Sequence, residues 1–157
     1  MKYIKYLDGS WRLDEYFLYL DSLEGKVSPS ALEFAKKKNH YDLRSHESLH
    51  DAWLQELKLF ESAEGERFEI RIVNVYSRYL GPYHDLEFSL NYLGVVGFHI
   101  QGQNLSNGHG DVLMHEMCME GVDLMSHELL FSTGSTIKIV FRGFQHECRV
   151  IDERLPS

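Results

Sequence analysis

Leu86-Glu87-Phe88-Ser89-Leu90-Asn91-Tyr92 alternates apolar and polar side chains without a break. Successive side chains of an extended backbone point to opposite faces, so the apolar residues line one side and the polar ones the other. One face in a core and one in water is the pattern of an antiparallel sheet. The same period appears downstream, where Ile137, Ile139 and Phe141 alternate with Lys138, Val140 and Arg142. Upstream, Phe68, Ile70 and Ile72 alternate with Glu69 and Arg71. Leu86, Phe88, Leu90, Ile137, Ile139 and Phe141 are therefore expected in the core, with Glu87, Ser89, Lys138 and Arg142 more exposed. Glycine-bearing turns separate these runs: Ala63-Glu64-Gly65, Leu80-Gly81-Pro82, the 104–110 segment beginning at Asn104, Glu120-Gly121 and Thr133-Gly134. Further strands are expected at 95–100, 112–117, 128–132 and 147–151. The segment from Leu49 to Glu61 fits either period. A strand from Ala52 is the better reading, because a short turn then leads into the Phe68 strand as a hairpin.

The first third carries a different period. Leu13, Tyr16, Phe17, Leu20 and Leu23 recur at three- and four-residue steps, which predicts a helix ending near Gly25. Ser28-Pro29 marks a second helix start, with Ser28 as the expected cap and Pro29 at the first helical position. Lys36-Lys37-Lys38 supplies positive charge where the helix dipole ends negative, and Asn39 is expected to stop the helix. The fold class is α+β: two N-terminal helices followed by a mostly antiparallel sheet or flattened barrel of about seven or eight strands. No linker divides the chain, so 1–157 is expected to be a single domain, with 1–48 a helical cover on an antiparallel β region at 49–151.

At 157 residues, with 43% hydrophobic and 25% charged side chains, the composition is that of an ordinary globular domain able to bury its own core. No apolar run reaches the length of a membrane span, and Met1-Lys2-Tyr3-Ile4-Lys5 leads into no signal-peptide core, so a cytoplasmic protein is expected. The net charge is −8. Between Arg78 and Lys138 lie 59 residues with no lysine or arginine, seven carboxylates and five histidines. Such a balance repels nucleic acid and anionic membranes and steers basic partners inward. The carboxylates expected to form an acidic binding face are Asp85, Glu87, Asp111, Glu116, Glu120 and Asp123.

No catalytic constellation emerges. Six of the nine histidines sit in His-Glu or His-Asp dipeptides, which on a strand face opposite ways and cannot share a metal or a substrate. His46-Glu47-Ser48-Leu49-His50 has the His-Glu-x-x-His spacing, but in a segment not clearly helical, where the two histidines do not share a face; no Cys-x-x-Cys, Gly-x-Ser-x-Gly or phosphate-cradling loop occurs. Neither a metal nor a cofactor is expected, and Cys118 and Cys148 read as reduced structural thiols, bridgeable only if their strands are neighbours.

One motif stands apart. Ser48-Leu49-His50-Asp51-Ala52-Trp53-Leu54, followed by alternating strands, resembles the (F/L)-H-D-(A/S)-x-(I/L) opening of small uncharacterised bacterial β-rich proteins. Some of these belong to immunity-protein families of polymorphic toxin systems. The resemblance runs on through Val112-Leu113-Met114-His115-Glu116 and His127-Glu128-Leu129-Leu130-Phe131-Ser132 to the 137–141 strand, about 100 of the 157 residues. It implies a non-enzymatic bacterial protein-binding module, whose basic partner, such as a toxin, would meet the acidic face. Within the motif, His50 and Asp51 are expected to satisfy backbone groups where the helical part hands over to the first strand. The rival reading is a small-ligand-binding protein or enzyme with an aromatic pocket at one end of the sheet, lined by His84, His99 or His109. A third is a homo-oligomer whose sheet edges pair.

Overall fold

A computed structural model describes residues 1–65, 70–102, 106 and 108–151. Phe68, Glu69 and Asn104 lie outside the described residues.

The chain does not open on a helix. It opens on a small hairpin, β1 (Lys5–Leu7) and β2 (Ser10–Arg12), which pair antiparallel around Asp8-Gly9. Both turn residues have positive φ, 51° and 77°, the backbone a two-residue hairpin turn demands and the one Asp-Gly adopts most readily. Helix α1 (Asp14–Asp21) follows, burying Tyr16 and Leu20 and leading to a buried Leu23. Helix α2 (Pro29–Lys36) has Pro29 at its start and buries Ala31, Leu32, Phe34 and Ala35. Ser28 holds the cap position, but its hydroxyl makes no cap bond. Lys36 bridges to Asp21 and Glu24, tying α2 to α1. Asn39 does not end the turn structure: Lys38–Tyr41 winds on as a 3-10 turn that drives His40 and Tyr41 inward.

The β region comprises β3 (Trp53–Glu64), β4 (Ile70–Leu80), β5 (Leu86–Leu93), β6 (Gly97–Gln101), β7 (Val112–Gly121), β8 (Leu124–Phe131), β9 (Thr136–Phe141) and β10 (Gly143–Val150). The expected hairpin between β3 and β4 is present. The eight strands form two antiparallel four-stranded sheets, ordered β10-β5-β4-β3 and β6-β9-β8-β7. Their inner faces, with α2 against β10 and β7, enclose the core. Phe88, Leu90, Ile137, Ile139 and Phe141 are buried as the alternation requires, and Leu86 is half-buried.

Glu87 departs from the expectation. It is buried rather than exposed, because Arg78 of β4 and Arg149 of β10 reach over it from either side, at 2.9 and 2.6 Å. An outward-facing carboxylate flanked by two guanidinium groups is covered by its own partners.

The N-terminal elements close one edge of the second sheet. The N–H groups of Met117 and Met119, on β7, donate to the hydroxyls of Tyr16 and Tyr19 at 2.8 and 2.7 Å. Glu116 is also buried, and its carboxylate accepts the backbone N–H groups of Lys2, Tyr3 and Ile4 at 2.6, 2.6 and 2.7 Å. Such charge-assisted bonds are about twice as strong as neutral ones, an excess offset in part by the cost of burying the charge. Glu116→Gln should therefore destabilise the fold by about 1–2 kcal/mol in urea unfolding, with amide exchange at residues 2–4 rising most. Among the described residues, no helix is long and apolar enough to cross a membrane.

Candidate functional site

Three segments distant in sequence, 46–53, 81–85 and 108–111, meet where the two sheets join. The junction is built from backbone: Asp51 N–H donates to Val112 O, Val112 N–H to Ala52 O, and Trp53 and Asp111 form an isolated antiparallel bridge. Four residues here take the left-handed backbone: Asp51 (φ 63°), His84 (φ 62°), Gly108 (φ 74°) and Gly110 (φ 75°). That conformation costs a non-glycine residue about 1 kcal/mol or more, so two such residues at one rim mark a geometry fixed by its surroundings. Gly110 has no alternative, since a Cβ there would stand 2.2 Å from Ser132 Oγ.

These turns raise an aromatic and histidine-rich rim above the sandwich. Trp53 remains 48% exposed, with the His84 ring edge-on at 5.0 Å. Tyr83, 50% exposed, stacks on His46 at 4.3 Å. His46 is paired through Nδ1 with Asp85. His50 Nδ1 lies 3.0 Å from Asp51 Oδ1, a close approach without hydrogen-bond alignment. Trp53, Leu54, Gln55, His109, Asp111 and the backbone of Gly108 and Gly110 line an open groove of about 420 Å³. The three rim segments contain no lysine or arginine.

The six candidate carboxylates fall into three groups. Asp85 and Asp111 belong to the rim, together with the motif residues His50 and Asp51. Glu120, paired with Lys138 at 2.7 Å, and Asp123, in the β7–β8 turn, lie at the opposite end of β7, some ~30 Å along the strand at the usual rise per residue. Glu87, covered on the outer face by its two arginines, and Glu116, buried against the N-terminal residues, are not open to a partner. Of the three histidines expected at a pocket, His84 and His109 are at the rim. His99 lies on the exposed edge strand β6 and takes no part.

The rim does not assemble an accessible nucleophile and base. His109 Nδ1 is 3.4 Å from Ser135 Oγ, but Ser135 is buried and also in contact with Thr133. Cys118 and Cys148 are free and lie in different sheets. Burial, reinforced by the Glu116 carboxylate, pushes the Cys118 thiol up to about 12, far from a reactive thiolate. Among the described residues, no three His, Cys, Asp or Glu side chains are grouped to hold a metal.

A second histidine group, unnoticed in the sequence, sits in the core. His40, His115 and His127 are buried around Phe34 with the half-buried His146. His115 Nδ1 meets His127 Nε2 at 3.1 Å, and His127 Nδ1 meets the Tyr92 hydroxyl at 2.7 Å. Burial depresses all three, His40 to about 4, His127 to about 3 and His115 well below its ordinary value. The signal was present as phase: His127 shares the inward parity of Met125, Leu129 and Phe131 on β8.

No family model, curated protein or solved structure matches this chain.

Proposed function

We propose that this chain is a non-enzymatic protein-binding module, of the immunity type, that captures a basic protein at the rim around Trp53. The observation that carries the reading is a half-exposed tryptophan and tyrosine set among Asp51, Asp85 and Asp111, with no cation in the three segments that build the rim. Exposed Trp and Tyr are the side chains most enriched at energetic centres of protein interfaces, and carboxylates around them favour approach of a basic surface. The left-handed Asp51 and His84 hold the two aromatics in place before any partner arrives, which lowers the ordering cost of binding.

Co-expression with the product of a neighbouring gene tests this. The chain should restore growth of a host poisoned by that product and form a complex with it. Trp53→Ala and the double change Asp85→Lys with Asp111→Lys should abolish rescue without lowering the melting temperature by more than a few degrees. Association should also slow steeply with salt. Rescue that ignores both rim variants would remove the site. A second reading, a small-ligand site, is favoured by the groove between Trp53 and His109; a ligand-induced rise in melting temperature, lost in Trp53→Ala, would support it.

A further inference from the structure

We propose that the groove beside Trp53 receives an arginine side chain of the partner, its guanidinium lying on the indole and paired with the Asp111 carboxylate. The inference rests on the protein-binding reading above and specifies what the rim recognises.

The geometry starts from the isolated bridge between Trp53 and Asp111. Directly opposed residues of an antiparallel pair project to the same face with Cβ atoms about 5 Å apart. Indole and carboxylate therefore stand side by side, and both line the same groove. The His84 ring occupies one flank of the indole, while nearly half of Trp53 stays open. Asp111 is pinned through its backbone: its N–H donates to Ser132 Oγ at 3.0 Å and its carbonyl accepts the Ser132 N–H at 2.8 Å. Its carboxylate makes no hydrogen bond or ion pair among the described residues. Its own segment can supply no cation either, because residues 79–137 contain no lysine or arginine at all. Gly108 and Gly110 add no side chains to the adjoining wall beside His109, and Gln55 adds an amide.

An aromatic face beside a carboxylate left unpaired among the described residues fits a planar cation better than a spherical one. Guanidinium is weakly hydrated, stacks on aromatic faces and donates in a fork matched to a carboxylate. A lysine ammonium is a compact, strongly hydrated charge and gains less from the same surface. An arginine supplied by the partner thus completes both halves of the groove.

The Trp11→Phe variant leaves Trp53 as the sole tryptophan, so its emission reports this groove. Nα-acetyl-arginine amide, titrated at constant ionic strength, should change that emission saturably, with a Kd on the order of millimolar for one isolated residue. Nα-acetyl-lysine amide should bind at least fivefold more weakly, and Asp111→Asn should weaken the arginine probe at least fivefold. The indole N–H resonance of Trp53 in the unmodified protein gives the same titration should Trp11→Phe fail to fold. A linear, non-saturating response, equal binding of both probes, or an unchanged Kd in Asp111→Asn overturns the inference. If growth rescue depends on Trp53 while the arginine probe does not bind, the arginine assignment falls and the protein-binding rim stands.

Discussion

Lowering the pH from 7 to 5 should remove about 4 kcal/mol of folding stability or more. The cause is the core histidine group. His40, His115 and His127 are neutral when folded because burial holds their protonation below the ordinary range, to about 4 for His40 and about 3 for His127. In the unfolded chain each regains a pKa near 6.5. Between those values the unfolded state binds more protons than the folded one, so stability rises with pH. It is complete above the unfolded value and is lost as pH falls from about 6.5 towards about 4 and then about 3. Three such groups give a slope of about 4 kcal/mol per pH unit in the middle of that window. The charged neighbours do not offset it: Lys37 opposes protonation of His40, the Glu47 contribution is smaller, and the charges acting on His115 and His127 are those of other histidines. His146 is lowered too and adds to the effect. Glu47, Glu56 and Glu120 are held below the usual carboxylate range, so their own losses come at lower pH. Urea midpoints at pH 7, 6 and 5 measure the slope, and His127→Gln, which keeps an acceptor for Tyr92, should lower it by about one proton. A flat profile between pH 7 and 5 would contradict the buried, neutral assignment.

Phe34→Ala should cost about 3–5 kcal/mol, the usual range for emptying a core aromatic site. Phe34 is 1% exposed and is the one side chain of α2 in ring contact with both sheets. Its ring centroid lies 5.8 and 6.0 Å from those of His115 and His127, on the second sheet. It lies 5.2 and 5.1 Å from those of Phe144 and His146, on the first. Its loss should loosen the N-terminal cover along with the sandwich, so amide protection in α2 should fall at least as far as in β8. Phe34→Leu should recover more than half of the loss. A cost under about 1 kcal/mol for the alanine variant would mean that the surrounding rings collapse into the space.

The sheets were legible because period-2 alternation is a one-dimensional signal, and Leu86 to Tyr92 needed nothing else to be read. The opening hairpin was equally legible in Asp8-Gly9 but was overshadowed by the helical spacing that begins at Leu13. Other features need the third dimension. Glu87 looks solvent-facing until β10 brings Arg149 beside it, 62 residues away. Glu116 looks like a surface acid until residues 2–4 turn three N–H groups towards it. The rim was seen only in pieces, as His50-Asp51, His84, Asp85, His109 and Asp111. Its unity depends on the bridge between Trp53 and Asp111, which no local pattern encodes. His115 escaped notice for a further reason: the bulge between Val112 and Met114 shifts the inward phase of β7, so the alternation breaks where the histidine enters the core.

The two tyrosine hydroxyls that α1 lays against β7 cover part of a sheet edge. A sheet edge with free N–H groups is a template on which another chain can polymerise. Tyr16 and Tyr19 occupy those donors with side chains that offer no backbone of their own, so the ladder ends in groups that cannot be extended. Protection of this edge is thereby lodged in α1, far in sequence from the strand it shields. Cleavage between α1 and the sandwich, or loss of the two hydroxyls through Tyr→Phe, leaves the apolar packing largely unchanged yet reopens the edge. Fibrils or swapped dimers seeded at β7, rather than simple unfolding, are the failure to which this architecture is exposed.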